Sequence, residues 1–216
     1  MERAWSVNEG LRRFSSAVFH PLGWVLGRTM SPNFITTLSI FAAAGAGYCF
    51  AVGRFVLGPW VLFLAGLFDI WDGQVAKLTG RVSTYGAFYD STADRMADFF
   101  FSLGTLYYFA YFAAEPVYDV AIMVAGYMVL SSLISYVKAR AEGLGVACNV
   151  GLLARPLRLL LFALPLFIFG LTENVWVFRG SLYILLVLGV ETLAHRMIVI
   201  YKGAAEKDAS AAADEA

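Results

Sequence analysis

An all-α polytopic membrane protein, with six transmembrane helices and an N-terminal interfacial amphipathic helix, is the fold class that three observations predict. Of 216 residues, 60% are hydrophobic and 15% charged, and the mean hydropathy is +0.69, far from the composition of a soluble domain. Apolar runs of about 20 residues, the length that crosses a bilayer core, recur six times. Lysine and arginine are strongly segregated among the connections.

The elements follow in chain order. Residues 1–30 form a cytoplasmic juxtamembrane segment. Trp5, Leu11, Phe14, Val18, Phe19, Leu22 and Trp24 are interleaved there with Arg12, Arg13 and Arg28, the pattern of a helix lying in the membrane interface. Arg3, Glu9, Arg12 and Arg13 interrupt any early apolar run, so no signal-peptide pattern is read. Residues 31–202 form the transmembrane domain, with spans predicted over 34–53, 55–76, 85–113, 117–139, 153–172 and 180–201. Gly53-Arg54, Glu115-Pro116 and Thr172-Glu173-Asn174 punctuate their ends. The tail 203–216, GAAEKDASAAADEA, is too polar and too simple to build a core, and is expected to be disordered. Cys49 and Cys148 suggest neither a disulfide framework nor a metal-binding spacing. No internal repeat and no soluble domain is evident.

Orientation comes from the connections. With the N-terminus inside, fourteen of the sixteen Lys and Arg residues fall on one side, and only Arg54 and Arg179 on the other. Both termini are therefore expected in the cytoplasm. The segregated cations belong to a membrane surface, and no nucleic-acid partner is expected.

One stretch breaks the apolar pattern: FDIWDGQVAKLTGRVSTYGAFYDSTADRM, Phe68 to Met96. Asp69, Asp72, Gly73 and Ala76 share one face of the second span, and Asp90 and Asp94 share one face of the third. Small residues (Gly73, Ala76, Gly86, Ala93) let the two helices approach and bring four carboxylates together. Only fourteen uncharged residues, Phe55 to Phe68, precede Asp69, a rise of about 21 Å. The cluster therefore lies below the cytoplasmic headgroups, where an uncompensated carboxylate costs several kcal/mol. All-oxygen clusters favour hard divalent cations, Mg²⁺ or Mn²⁺, and Mg²⁺ is commonly shared with substrate phosphates. A second group of charges, Lys138, Arg140, Arg155 and Arg158, gathers around one cytoplasmic connection and suits a phosphate.

The spacing Asp69-x2-Asp72-Gly73-x2-Ala76-Lys77-x8-Gly86-x3-Asp90-x3-Asp94 resembles the signature of the CDP-alcohol phosphotransferases, with Lys77 where that signature has arginine. The resemblance implies an integral membrane enzyme of phospholipid synthesis that displaces CMP from a CDP-activated lipid. It implies two metal ions held by Asp69, Asp72, Asp90 and Asp94, with Asp94 as general base and Asp90 as the alternative. Asp69, Gly73, Ala76, Lys77 and Gly86 would bind the CDP-lipid, with Pro32, Asn33 and Thr36 of SPNFITT (Ser31 to Thr37) near the cytidine. SYVKARAEGLGVACNVGLLARPLR, Ser135 to Arg158, is similar to the branch that makes phosphatidylinositol phosphate or its archaeal counterpart. There Lys138, Arg155 and Arg158, with Arg140, would hold the acceptor's phosphate. Ala154 stands where that branch has an acidic residue. A homodimer in a prokaryotic cell membrane, with a cytoplasm-facing active site, is further implied.

Inositol phosphate is thus the first expected acceptor, glycerol 3-phosphate the second and an unphosphorylated amino alcohol a distant third. A metal or proton transporter would place carboxylates near mid-membrane and need no basic loop. An intramembrane prenyltransferase would resemble a longer chain with Asn-Asp-type motifs. Of the remaining polar residues, Glu191 is expected to pair with Arg196, and Asp98 with Arg95 or a ligand. Tyr107, Tyr108, Tyr111 and Phe112 are expected to form an interfacial belt.

Overall fold

A computed structural model describes residues 29–113, 117–148 and 150–214. The interfacial helix expected over 1–30 falls, except for its last two residues, outside the described residues. Those described form helices and no strand: α1 (Pro32–Ala51), α2 (Gly58–Leu78), α3 (Thr84–Tyr107), α4 (Tyr118–Gly143), α5 (Arg155–Thr172) and α6 (Val175–Asp214). One π-helical turn, Tyr108–Phe112, continues α3. Four helices are long and apolar enough to cross a membrane: Pro32–Ala51, Tyr118–Gly143, Arg155–Thr172 and Val175–Ser210. α2 and α3 have the length, 21 and 24 residues, but Asp69 and Asp72 lower the hydropathy of the first. Asp90, Asp94, Arg95 and Asp98 do the same to the second.

Local chemistry sets the ends that matter for function. Ser31 accepts the Phe34 N–H at the start of α1, with Pro32 as first helical residue, a position where proline's missing donor costs nothing. α2 closes with the Arg81 N–H bonded to the Ala76 carbonyl at 2.9 Å over Gly80 at φ +67°, a left-handed cap that a Cβ would strain. The chain then turns directly into α3, where the Ser83 hydroxyl accepts the Gly86 N–H at 3.0 Å.

The chain divides into two compact units. Among the described residues, the first comprises 29–45 and 60–97, the second 46–59, 98–113, 117–148 and 150–214. In the first, Ile35, Trp71 and Val75 are buried together beneath Met30, Leu67 and Phe68. Ala43, Ala65 and Ala97, one from each of α1, α2 and α3, are buried together, a close packing that small residues allow.

The second unit is built on aromatic packing. Phe55, Tyr108, Phe109 and Phe169 stack about one another, and Phe101, Tyr127 and Phe178 surround Phe162. Tyr108 therefore packs inward, while Tyr107 and Tyr111 are exposed as a belt requires. Backbone also meets backbone: a methyl on Gly104 would fall 1.9 Å from the Gly47 carbonyl oxygen. Gly104→Ala should force the helices apart at a cost of about 1–3 kcal/mol. A clear fall in Tm in detergent is the expected result; an unchanged Tm would contradict this contact.

α6 packs along α4 and α5 and holds the α4–α5 connection by its backbone. Thr192 accepts the Leu153 N–H at 3.2 Å, Arg196 donates to the Val150 and Ile134 carbonyls, and Lys207 donates to the Leu144 carbonyl at 2.7 Å. Two expectations are corrected here. Arg196 is spent on carbonyls rather than on Glu191, whose carboxylate lies 3.8 Å from His195, one helical turn on. Residues 203–214 are helical, not disordered. Alanine, glutamate and lysine are strong helix formers, and the Lys207 bond and the close fit of Gly203 against Val146 anchor the extension.

Candidate active site

In the first unit, the helical faces carrying the aspartates converge. One carboxylate oxygen from each of Asp69, Asp90 and Asp94 lies within 4.8 Å of the others. Three like charges so close are mutually unfavourable without a counter-charge, and an all-oxygen set suits a hard divalent cation. Asp72 differs from these three. It is 4% exposed, accepts a hydrogen bond from Thr36 and feels the charges of Asp90 and Asp69. Thr36 is thereby placed as a support for Asp72, at the edge of the site rather than free for a ligand. Asp94 lies 3.7 Å from the guanidinium of Arg95.

Beside the carboxylates an open cleft is lined by Pro32, Asn33, Thr36, Gly73, Ala76, Lys77 and Gly86, together with Asp72 and Asp90. Seven of the eight residues expected to bind a CDP-lipid thus line one cleft; Asp69 stands with the carboxylates. Arg81 and Ser83 also line it. The aspartate spacing does not single them out; the available signal is that they lie in the short connection that directly joins the two Asp-bearing helices.

The two signature glycines act differently. A methyl on Gly86 would sit 3.0 Å from the Ser83 hydroxyl and 3.7 Å from Asn33, so Gly86 serves the cap and the cleft together. A methyl on Gly73 would meet nothing within 4 Å. Helix packing therefore does not require this glycine, and the open space in front of it belongs to the cleft. Gly73→Ala should leave Tm equal or higher, since alanine favours a helix by roughly 0.5–1 kcal/mol, while weakening nucleotide binding. A lowered Tm with binding unchanged would contradict this placement.

The second unit holds the basic residues of the α4–α5 connection and gives them different partners. Arg155 lies 4.0 Å from Asp98, and Arg158, 5% exposed, bonds to Ser131 at 2.9 Å. Asp98 therefore turns to Arg155 and Ser131, not to Arg95. Lys138 is 3.7 Å from Glu142, and Arg140 is exposed.

Residues 29–197 match the family described as CDP-alcohol phosphatidyltransferase. The chain is 28% identical over 200 residues to the archaetidylinositol phosphate synthase of Methanothermobacter thermautotrophicus, covering 91% of this chain and 97% of that one. It is 30% identical over 188 residues to the phosphatidylinositol phosphate synthase of Mycobacteroides abscessus, covering 86% and 84%. Among solved structures it resembles the Mycobacterium tuberculosis phosphatidylinositol phosphate synthase with CDP-DAG bound. The TM-score there is 0.80 at 26% identity, covering 86% of this chain and 94% of that one. The same enzyme in complex with manganese and citrate gives a TM-score of 0.79 at 27% identity, covering 85% and 88%.

Proposed function

The chain belongs to the CDP-alcohol phosphatidyltransferase family, and on that premise we propose that it transfers a phosphatidyl-type group from a CDP-lipid to a hydroxyl of inositol phosphate, releasing CMP. The observation that carries this reading is the convergence of Asp69, Asp90 and Asp94 in the unit whose cleft is lined by the signature residues.

The residues divide the work. Asp69, Asp90 and Asp94, with Asp72 held by Thr36, would bind divalent cation, Mg²⁺ or Mn²⁺, as two ions. Bound there, the metal supplies charge neutralisation of the diphosphate oxygens and of the departing CMP. Gly73, Ala76 and Gly86 admit the nucleotide close to backbone, while Lys77 offers a charge to a phosphate oxygen. Asp94 takes the proton from the acceptor hydroxyl as its oxygen bonds phosphorus and the P–O bond to CMP breaks. Asp90 is the alternative base, less suited because a carboxylate that holds metal is a poorer base. Arg155 and Arg158, with Lys138 and Arg140, bind the acceptor's phosphate. Two relatives that act in inositol phosphate chemistry favour this acceptor over glycerol 3-phosphate. Six spans with cytoplasmic termini complete the reading: α2 and α3 have the length to cross, and six crossings would put fourteen of the sixteen Lys and Arg on one side. The homodimer rests on the family resemblance.

An acceptor panel tests the choice of alcohol. Purified protein with CDP-diacylglycerol and Mn²⁺ should use inositol phosphate with a higher kcat/KM than glycerol 3-phosphate or serine. Arg158→Ala should raise the KM for the phosphorylated acceptor by at least about tenfold, as for a lost charged hydrogen bond. Preference for serine, with Arg158→Ala unaffected, would overturn the phosphate-site assignment.

A further inference from the structure

The second unit contains a polar chain of which the proposed chemistry uses only one end, Arg158. Asp98 on α3, Ser131 on α4 and Arg158 on α5 are bonded in sequence. The Ser131 hydroxyl donates to Asp98 Oδ2 at 2.9 Å, and Arg158 Nη1 donates to the same hydroxyl at 2.9 Å and to the Ser131 carbonyl at 3.2 Å. The hydroxyl's orientation is forced. A guanidinium has no acceptor and a carboxylate no donor, so the single proton of Ser131 must point to Asp98 and a lone pair to Arg158. Ser131 is 3% and Arg158 5% exposed, so water does not compete for these bonds. Asp98 also lies 4.0 Å from Arg155 through its other oxygen, and thus addresses both arginines of α5.

Arg158 is not satisfied by this chain alone. Its buried Nε has no hydrogen-bond partner among the described residues, and buried donors without partners are uncommon. A bare clip between helices would not leave a buried donor open; a clip that presents arginine to an anion would.

We propose that Asp98 and Ser131 are positioning residues for phosphate recognition: the hydroxyl, locked by Asp98, fixes Arg158 before the phosphorylated acceptor arrives. This rests on the reading of Arg155 and Arg158 as acceptor-phosphate ligands. Pre-orientation removes rotamer freedom that binding would otherwise have to freeze, so its loss falls on acceptor affinity and spares the donor.

The test compares Ser131→Ala, Asp98→Ala and Asp98→Asn with Arg158→Ala, each checked for Tm and for KM of both substrates. Ser131→Ala and Asp98→Ala should raise the acceptor KM by about tenfold and leave the CDP-lipid KM within about twofold. Asp98→Asn keeps an oxygen that accepts from Ser131 and should retain most of the acceptor affinity. The double variant Ser131→Ala/Asp98→Ala should be no worse than the poorer single, because the residues act as one relay. If Asp98→Ala does not fold, inhibition by inorganic phosphate, compared between Ser131→Ala and Ser131→Thr, decides: the threonine hydroxyl should restore it. An acceptor KM unchanged in Ser131→Ala, while Arg158→Ala raises it, would overturn the positioning role alone. No effect of Arg158→Ala would overturn the underlying reading, and the inference with it.

Discussion

Asp94→Asn is expected to lower CMP release by at least about a hundredfold, the lower end of what a positioned general base contributes, in a protein that still inserts, folds and binds nucleotide. The acceptor hydroxyl is a poor nucleophile until its proton leaves, and Asp94 is the last of three carboxylates whose oxygens converge within 4.8 Å. Asparagine keeps the size of the side chain and one oxygen that can face a cation, but it cannot accept a proton. The loss should therefore appear in kcat, with the KM for CDP-lipid nearly unchanged. A variant retaining more than about a tenth of wild-type kcat would remove Asp94 from that role. Asp90→Asn would then be the variant to examine.

The second large effect concerns metal, and its sign differs between stability and activity. Three mutually repelling carboxylates destabilise the apo protein, so Asp90→Asn should raise Tm in the presence of a chelator. The same change should abolish most activity and most of the stabilisation that Mn²⁺ gives. Wild-type Tm should climb with Mn²⁺ concentration, by about 2.7 kcal/mol of stability at a hundred times the dissociation constant, while the variant's curve stays nearly flat. A wild-type Tm indifferent to Mn²⁺, or a variant as responsive as wild type, would contradict the assignment. Chelation of wild type should stop CMP release, and added Mn²⁺ or Mg²⁺ should restore it.

Much of the fold was legible because membrane helices announce themselves by length and apolarity, which depend on no distant contact. The described helices stand where the apolar runs predicted them, with ends shifted by a few residues. α6 is the exception at both ends. It begins at Val175 because Asn174 caps it, accepting the Trp176 N–H at 3.0 Å. It runs on past Lys202 because alanine-rich sequence takes a helix once an anchor is supplied, and Lys207 supplies it at Leu144. Composition suggested disorder there; the bond that decides otherwise joins residues 63 positions apart, which no local pattern encodes.

The carboxylate site was legible for a related reason. Helical periodicity places Asp69 with Asp72, and Asp90 with Asp94, before any tertiary contact is known. What periodicity leaves undetermined is which oxygens meet. Asp72 turning to Thr36 depends on α1, which the spacing on α2 does not reveal. The basic residues were harder still. Charge pattern gathered Lys138, Arg140, Arg155 and Arg158 into one group, yet Lys138 lies beside Glu142 and Arg158 beside Ser131. Long side chains choose among partners by geometry, and a count of cations cannot rank those choices. Asp98 shows the same limit: Arg95 is near in sequence, but Arg155 and Ser131 are near in space.

The most direct measurement is the stoichiometry of products from purified protein, CDP-diacylglycerol, Mn²⁺ and inositol phosphate. CMP and a phosphatidylinositol phosphate should appear in equal amounts, with neither formed when acceptor or metal is withheld. CMP released without acceptor, or no CMP with any acceptor offered, would contradict the account.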